Sequence, residues 1–240
     1  MNILITGSNG FLGKSLIKYL KNNTNHTIHE FSKNDKLNDL EKLISEIDIV
    51  FHFAGVNQTS DKINFEKINV GLTKKICKII RKNPNTKLFY ASSIQANYDN
   101  DYGISKRKAE KICLNLQNNF QNKVYILRLP GIFGAGSKPY YNSVVATFCY
   151  NTVNKIKLNI IESEKEIDLL FVEDLCRQLS DLMNKKFAGD FVKFKNVKKI
   201  RIGELASTIK TFHNNNHDIK LSTSKDSLKK NLYKTFISFI

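Results

Sequence analysis

The chain has 240 residues, 41% of them hydrophobic and 25% charged, a balance that excludes a disordered or fibrous protein and gives enough length to bury a core without a disulfide or metal staple. A net charge of +16 would suit nucleic acid, but the excess is scattered lysine with no arginine-rich block, and it serves as well to attract polyphosphate ligands. No apolar run approaches the roughly 18 residues of a membrane span, so neither nucleic acid nor membrane is expected as a partner. The four cysteines, Cys77, Cys113, Cys149 and Cys176, form no paired spacing and read as reduced thiols of a cytoplasmic protein.

Apolar runs alternate with amphipathic stretches from the first residue, the pattern of βαβ units around a parallel sheet. Strands are predicted at 2–6, 27–31, 47–53, 87–91, 124–129 and 166–171, and helices at 11–20, 65–81 and 105–116. Pro84, Pro130 and Pro139 fall between these elements, where a missing amide does least harm.

The first strand leads into Gly7-Ser8-Asn9-Gly10-Phe11-Leu12-Gly13. In this GxxGxxG spacing Gly7 permits the tight turn, Gly10 a close approach to a diphosphate, and Gly13 close packing of helix on sheet. The amides opening the helix, at Phe11 and Leu12, would then hold the anion. The second strand ends Glu30-Phe31-Ser32-Lys33. Phe31 stands where an NAD site offers an acid to the ribose, whereas Ser32 and Lys33 can hold the 2′-phosphate of NADP. NADP(H) is therefore favoured over NAD(H), with Glu30 as the NAD acid if the register shifts by one residue.

The third strand runs into His52-Phe53-Ala54-Gly55-Val56, and the following helix carries Asn69-Val70-Gly71. The fourth closes on Ala91-Ser92-Ser93 and continues into Ile94-Gln95, which places hydroxyls at a carboxyl strand end, where such sheets bind ligands. Tyr102-Gly103-Ile104-Ser105-Lys106 is YxxxK, its two ends on one helical face. A tyrosine with a pKa of about 10 is a poor acid or base at neutral pH; a neighbouring ammonium favours its phenolate. Ser93 can then hold a carbonyl while Tyr102 delivers the proton.

Past the fifth strand come Arg128-Leu129-Pro130-Gly131 and Lys138-Pro139-Tyr140-Tyr141-Asn142-Ser143. The latter is expected to be extended, able to stack a base and bind phosphate or N-acetyl groups, with Lys138 and Asn142 as substrate contacts. Val56 and Gln95 join them because both follow strand ends. His213 and His217 are four apart but flank an asparagine run that reads as a loop, so no metal is expected. These elements predict a Rossmann-type, doubly wound parallel sheet (1–129 plus 166–184) that binds NADP. A small carboxyl-terminal substrate lobe (130–165 plus 185–240) is expected over the sheet's carboxyl edge.

Together these motifs resemble the short-chain dehydrogenase/reductases of the extended, nucleotide-sugar type. In that family the stretch at Ala54 and Gly55 lines the cofactor, Leu129-Pro130 passes the nicotinamide, and Lys106 holds the nicotinamide ribose. Dehydratases of the family need an Asp-Glu pair after the strand-end hydroxyl; Ile94-Gln95 stand here instead, leaving ketone reduction or 4-epimerisation. Within the family, residues 92–96, 99–106, 138–150 and 232–236 are similar to the reductases of UDP-N-acetyl-L-fucosamine and capsular polysaccharide biosynthesis. The resemblance implies NADPH-dependent reduction of the C4 ketone of a UDP-2-acetamido-2,6-dideoxy-hexos-4-ulose, with Ser93, Tyr102 and Lys106 as the catalytic residues. It also implies a homodimer and a carboxyl-terminal cupin domain that performs a preceding epimerisation. The chain shows no cupin histidine cluster, so either a longer bifunctional enzyme or a separate cupin-type epimerase is expected. Two rivals stay open: a 4-epimerase that retains NAD(H), and a non-catalytic NADP-binding regulator or scaffold.

Overall fold

The computed structural model describes residues 1–58, 63–184, 190–214 and 227–240. Five of the predicted strands form one parallel sheet: β1 (Asn2–Thr6), β2 (Thr27–Phe31), β3 (Ile49–His52), β4 (Lys87–Ser93) and β5 (Val124–Leu129), in the order β2-β1-β3-β4-β5. They are connected through α1 (Phe11–Asn23), α2 (Leu37–Leu43), α3 (Thr73–Ile80) and α4 (Asp101–Phe120). All four residues of β3 are buried, as expected of a parallel strand covered on both faces. Leu4, Val50, Leu88, Tyr90 and Ile126 cluster with Ile76 and Ile80 of α3 and with Ala109, Cys113 and Leu116 of α4. Their neighbours in sequence alternate to the opposite face, where Phe89 packs 4.8 Å from Phe51 and stacks 4.4 Å from Tyr125, ring centre to ring centre.

The predicted helices differ in extent, the first running three residues further, to Asn23. The stretch at 65–81 is eight residues of π-helical winding, Phe65–Leu72, followed by α3. Helix α4 starts four residues earlier than expected because Asn100 caps it, its Oδ1 accepting the Gly103 amide at 2.8 Å.

The strand at 166–171 forms, but not in this sheet. β6 (Gly131–Phe133) and β7 (Glu166–Phe171) pair in parallel, and β8 (Lys198–Arg201) runs antiparallel to β7, in a separate three-stranded sheet. The outer edge of β5 is taken instead by residues 190–192: the Ile126 amide donates to Asp190 O at 2.6 Å and the Val192 amide to Ile126 O at 2.9 Å. The compact units are accordingly Met1–Leu129 with Cys176–Phe194, and Pro130–Leu175 with Lys195–Ile240. The expected assignments of 166–175 to the first unit and of 190–194 to the second are thereby corrected. The cause is long-range pairing, which an apolar run cannot reveal by itself.

In the second unit, α5 (Val144–Val153), α7 (Ile202–Asn214) and α8 (Ser227–Ile237) pack around Phe133, Phe148, Leu169, Phe171, Phe212, Leu232 and Phe236. Helix α6 (Val172–Met183) carries the chain from this unit into the first. The four cysteines are buried free thiols, and among the described residues no helix is long and apolar enough to cross a membrane.

Candidate active site

Chain connections leave β1 and β3 in opposite directions, so the crevice at their carboxyl ends is the switch point where such sheets take ligands. Gly7 turns off β1 with φ +71°, and a Cβ there would lie 2.7 Å from the Ala54 amide nitrogen just beyond β3. A Cβ on Gly13 would meet Gly7 O at 2.3 Å, whereas at Gly10 the same oxygen is 3.2 Å away. Helix α1 has no side-chain cap and no acid in its first turn, which leaves the amides at Phe11, Leu12 and Gly13 to an anion. The cradle therefore fits a pyrophosphate: without side chains at Gly7 and Gly13 the turn closes tightly on the end of β3 and on α1, and no carboxylate on the first helical turn opposes the charge.

Beneath the loop lies a buried relay. Thr73 donates its hydroxyl proton to Asn69 O at 2.6 Å and so accepts at 3.0 Å from Nε2 of His52. Nδ1 of that ring then accepts from Thr6 Oγ1 at 2.7 Å, and Thr6 Oγ1 accepts the Ala54 amide at 3.3 Å. His52 is thus a neutral Nε2–H tautomer; burial, followed by the charge of Lys106, lowers its pKa to about 3.

At the end of β2, Glu30 is ion-paired with Lys21 at 2.9 Å. Ser32 bonds to the exposed Asp35, whose Oδ2 accepts from the Ser32 amide at 2.7 Å and hydroxyl at 2.9 Å; these bonds hold the Asp35 carboxyl below its usual range. Asp35 was not anticipated in the sequence. Lys33 is exposed.

Ser93 is the last residue of β4, and its Oγ accepts the Gln95 amide at 3.2 Å. Lys106 is buried, with Nζ donating to Ala91 O at 2.8 Å and lying 5.8 Å from the centre of the Tyr102 ring and 5.1 Å from that of Tyr90. Burial lowers its pKa to about 8, against opposing effects from Cys113 and Glu110. A Cβ on Gly103 would lie 2.2 Å from Gln95 O, so the first turn of α4 rests directly on the turn after Ser93. The turn of α4 that carries Tyr102 and Lys106 therefore lies against the carboxyl end of β4, which Ser93 closes. Only β3 separates that strand from the glycine loop, a distance of roughly 10 Å at the usual strand spacing.

Asn69 joins the two halves of this site. Its Oδ1 accepts the Val56 amide at 2.9 Å, and its Nδ2 donates to Val56 O at 2.9 Å and to Ser105 Oγ at 3.0 Å; Ser105 in turn donates to Tyr102 O at 2.7 Å. Gly55 lies alongside, where a Cβ would be 2.9 Å from Asn69 Oδ1 and 3.4 Å from Lys106 Nζ. The expected cofactor-lining pair Ala54 and Gly55 thus sits beside both the loop and the lysine.

The remaining candidates belong to the second unit. Pro130 immediately precedes β6. Residues 138–143 are a turn rather than the expected extended segment, with Tyr140 at φ 58° and Asn142 at φ 49°. The turn forms because Ser143 caps α5, while Tyr140 is held through its amide to Thr147 Oγ1 at 2.9 Å and through its hydroxyl to Asn151. Lys138, Tyr141 and Asn142 are exposed on it. A cavity of about 360 Å³ opens among Phe133, Phe171, Lys198, Lys230 and Lys234; none of the candidate site residues lines it. His217 and the side chain of His213 lie outside the described residues, among which no group of three or more metal-ligating side chains occurs.

A glycine turn at the switch point of a parallel sheet, with YxxxK at a nearby strand end, defines a Rossmann-type protein that binds a nicotinamide dinucleotide. The NAD dependent epimerase/dehydratase family model matches residues 3–193, and the chain belongs to that family. Over 242 residues it is 36% identical to the UDP-2-acetamido-2,6-beta-L-arabino-hexul-4-ose reductase of Pseudomonas aeruginosa, covering 100% of this chain and 65% of that protein. The capsular polysaccharide assembling protein CapF of Staphylococcus aureus superposes with a TM-score of 0.84 at 30% identity, again over 100% of this chain and 65% of the other. The UDP-glucuronic acid 4-epimerase of Bacillus cereus, at TM-score 0.85 and 16% identity over 100% and 99% of the two chains, shares the fold. The chain spans just under two thirds of the length of the first two relatives.

Proposed function

We propose that this chain catalyses the NADPH-dependent reduction of the C4 ketone of a UDP-2-acetamido-2,6-dideoxy-hexos-4-ulose, a step toward UDP-N-acetyl-L-fucosamine-type sugars for capsular or surface polysaccharide. The observation that carries the reading is the buried Lys106 ammonium beside the Tyr102 ring, at the end of the strand that bears Ser93. Similarity to the Pseudomonas reductase supports the substrate class.

When bound, the nicotinamide supplies the hydride. Tyr102 gives its phenolic proton to the C4 oxygen, and Lys106, protonated below about pH 8, lowers the cost of the phenolate left behind. Ser93 accepts the Gln95 amide and so keeps its own hydrogen for the same oxygen. Gly7, Gly10, Phe11, Leu12 and Gly13 hold the pyrophosphate, Ala54, Gly55 and Pro130 line the coenzyme, and Val56, Gln95, Lys138 and Asn142 are assigned to the UDP-sugar. Ile94-Gln95 offer no carboxylate for elimination of water.

For the coenzyme, Ser32 and Lys33 favour NADPH, the 2′-phosphate taking the Ser32 donors from Asp35. The Asp35 carboxylate favours a second reading, NADH, and the two dissociation constants decide between them. A cytoplasmic homodimer, working with a cupin-type epimerase in the same or another chain, completes the proposal.

The test is NADPH oxidation with UDP-4-keto-6-deoxy-hexosamines, the product identified by mass spectrometry and NMR. Tyr102→Phe should lower turnover by roughly 10² to 10⁴-fold while NADPH binding persists, and near-normal turnover in that variant would refute the assignment. Coenzyme binding without oxidation in the unaltered protein would favour a regulator, and retained NAD(H) with an epimerised UDP-sugar a 4-epimerase.

A further inference from the structure

We propose that the Glu110–Arg128 ion pair, buried on its carboxylate side, is the positioning element of the proton-transfer centre, fixing the Ser93 end of β4 against the Tyr102–Lys106 face of α4. This inference rests on the reductase reading and adds two residues outside the triad. Glu110 lies one helical turn beyond Lys106, its side chain only 4% exposed. Three donors reach its carboxylate: Ser92 Oγ at 2.5 Å, and Arg128 through Nε at 2.9 Å and Nη2 at 2.7 Å. The arginine contact is a two-pronged fork, the geometry that restrains orientation as well as distance. The third nitrogen of Arg128, Nη1, donates to Asn97 Oδ1 at 2.7 Å, and its guanidinium lies 4.6 Å above the Phe191 ring.

Each partner comes from a different element. Glu110 belongs to α4, Ser92 to β4, Arg128 to β5, and Asn97 to the 3-10 turn that follows Ser93. A second arginine, Arg107, closes the other side of that turn through Nη1 to Ala96 O and Tyr98 O, both at 2.8 Å. The chain around the catalytic serine is thus held through the carbonyls of Ala91 by Lys106 and of Ala96 and Tyr98 by Arg107, and through the side chains of Ser92 by Glu110 and of Asn97 by Arg128. Ser93 is the residue in this run whose hydroxyl, among the described residues, accepts a hydrogen bond and donates none.

Stability alone does not explain such an arrangement. A buried ion pair replaced on both sides by apolar groups is often neutral or more stable, whereas removing one partner strands a charge. The double variant Glu110→Leu/Arg128→Met therefore separates folding from positioning. It should unfold at a urea midpoint equal to or above that of the unaltered protein and bind NADPH within about twofold. Its kcat on the keto-sugar should fall roughly 10- to 100-fold, the scale of a misplaced reacting group. Amide exchange in residues 93–98 should accelerate about tenfold without a change in global stability.

A second variant, Glu110→Gln, keeps the shape and most of the hydrogen bonding and guards against a double variant that fails to fold; its kcat should fall with little change in NADPH affinity. Wild-type kcat in either folded variant, or unchanged exchange in the 93–98 turn, overturns the inference. Should the unaltered protein reduce no keto-sugar, the functional reading falls instead, and the exchange measurement still decides whether the pair orders the serine turn.

Discussion

Replacing Lys106 with Met should stabilise the protein at neutral pH while abolishing its activity. The ammonium is buried, makes one hydrogen bond to Ala91 O at 2.8 Å, and has its pKa lowered by burial from 10.5 to about 8. A shift of that size amounts to about 3 kcal/mol in favour of the neutral amine. Between these two values the unfolded chain holds the proton and the folded chain does not, so stability rises with pH across this interval. Below pH 8 the full cost of the buried charge is present. Methionine fills a similar volume without charge but leaves the Ala91 carbonyl unpaired, a loss of about 1 kcal/mol. Lys106→Met should therefore gain about 2 kcal/mol at pH 7 and show a deficit of about 1 kcal/mol near pH 10.5. Urea unfolding of both proteins across this range gives the difference at each pH, with titrations common to both cancelling. A difference that stays flat with pH would refute the reasoning.

Gly13→Ala places a methyl 2.3 Å from Gly7 O; because the obstructing atom is backbone, a loss of about 1–3 kcal/mol in stability is expected together with weakened coenzyme binding. A variant with unaltered melting temperature and NADPH dissociation constant would show that the loop is looser than described. The neutral His52 predicts acid lability. Its folded pKa is about 3 against an ordinary 6.5, so stability should decline as pH falls through that interval, by up to roughly 4–5 kcal/mol. His52→Gln should lose this contribution to the acid slope, and an identical pH dependence in the two proteins would reject it.

Features confined to a few residues were legible. The GxxGxxG turn, YxxxK and the first five strands each announce themselves within about ten residues, through glycine spacing, side-chain chemistry or an apolar run. Pairing was not legible. Glu166-Ile167-Asp168-Leu169-Leu170-Phe171 reads as a strand for either sheet, and what separates the two is the company of β6 and β8, three and four residues long, too short to register as periodic. The supports of the site were hidden for a related reason. Arg128 interrupts an otherwise apolar strand, and a charge in that position requires a partner, but the partner, Glu110, lies 18 residues back on the neighbouring helix. Asp35 reaches Ser32 across three residues, a distance at which sequence could have suggested the pair but not its geometry.

The distribution of charge beneath the crevice follows from hydrogen-bonding company more than from residue type. Lys106 and His52 are both basic and both buried, and burial disfavours the charged form of each. His52 stands between two hydroxyls whose protons are committed: that of Thr73 to Asn69 O, and that of Thr6 to the ring itself. Protonating Nδ1 would break the second bond and set two hydrogens against each other. Lys106 instead has a carbonyl to receive its proton, two aromatic faces within 6 Å, and the charge of Glu110 one turn away. Of these two bases, the positive charge therefore settles on Lys106 of α4, where it bears on the Tyr102 phenol, and not on His52 of β3 under the glycine loop. An alanine at Thr73 would leave the motif spelled as before yet remove the acceptor that fixes the histidine tautomer. With His52 held neutral, Lys106 is the cation that the Tyr102 phenol meets.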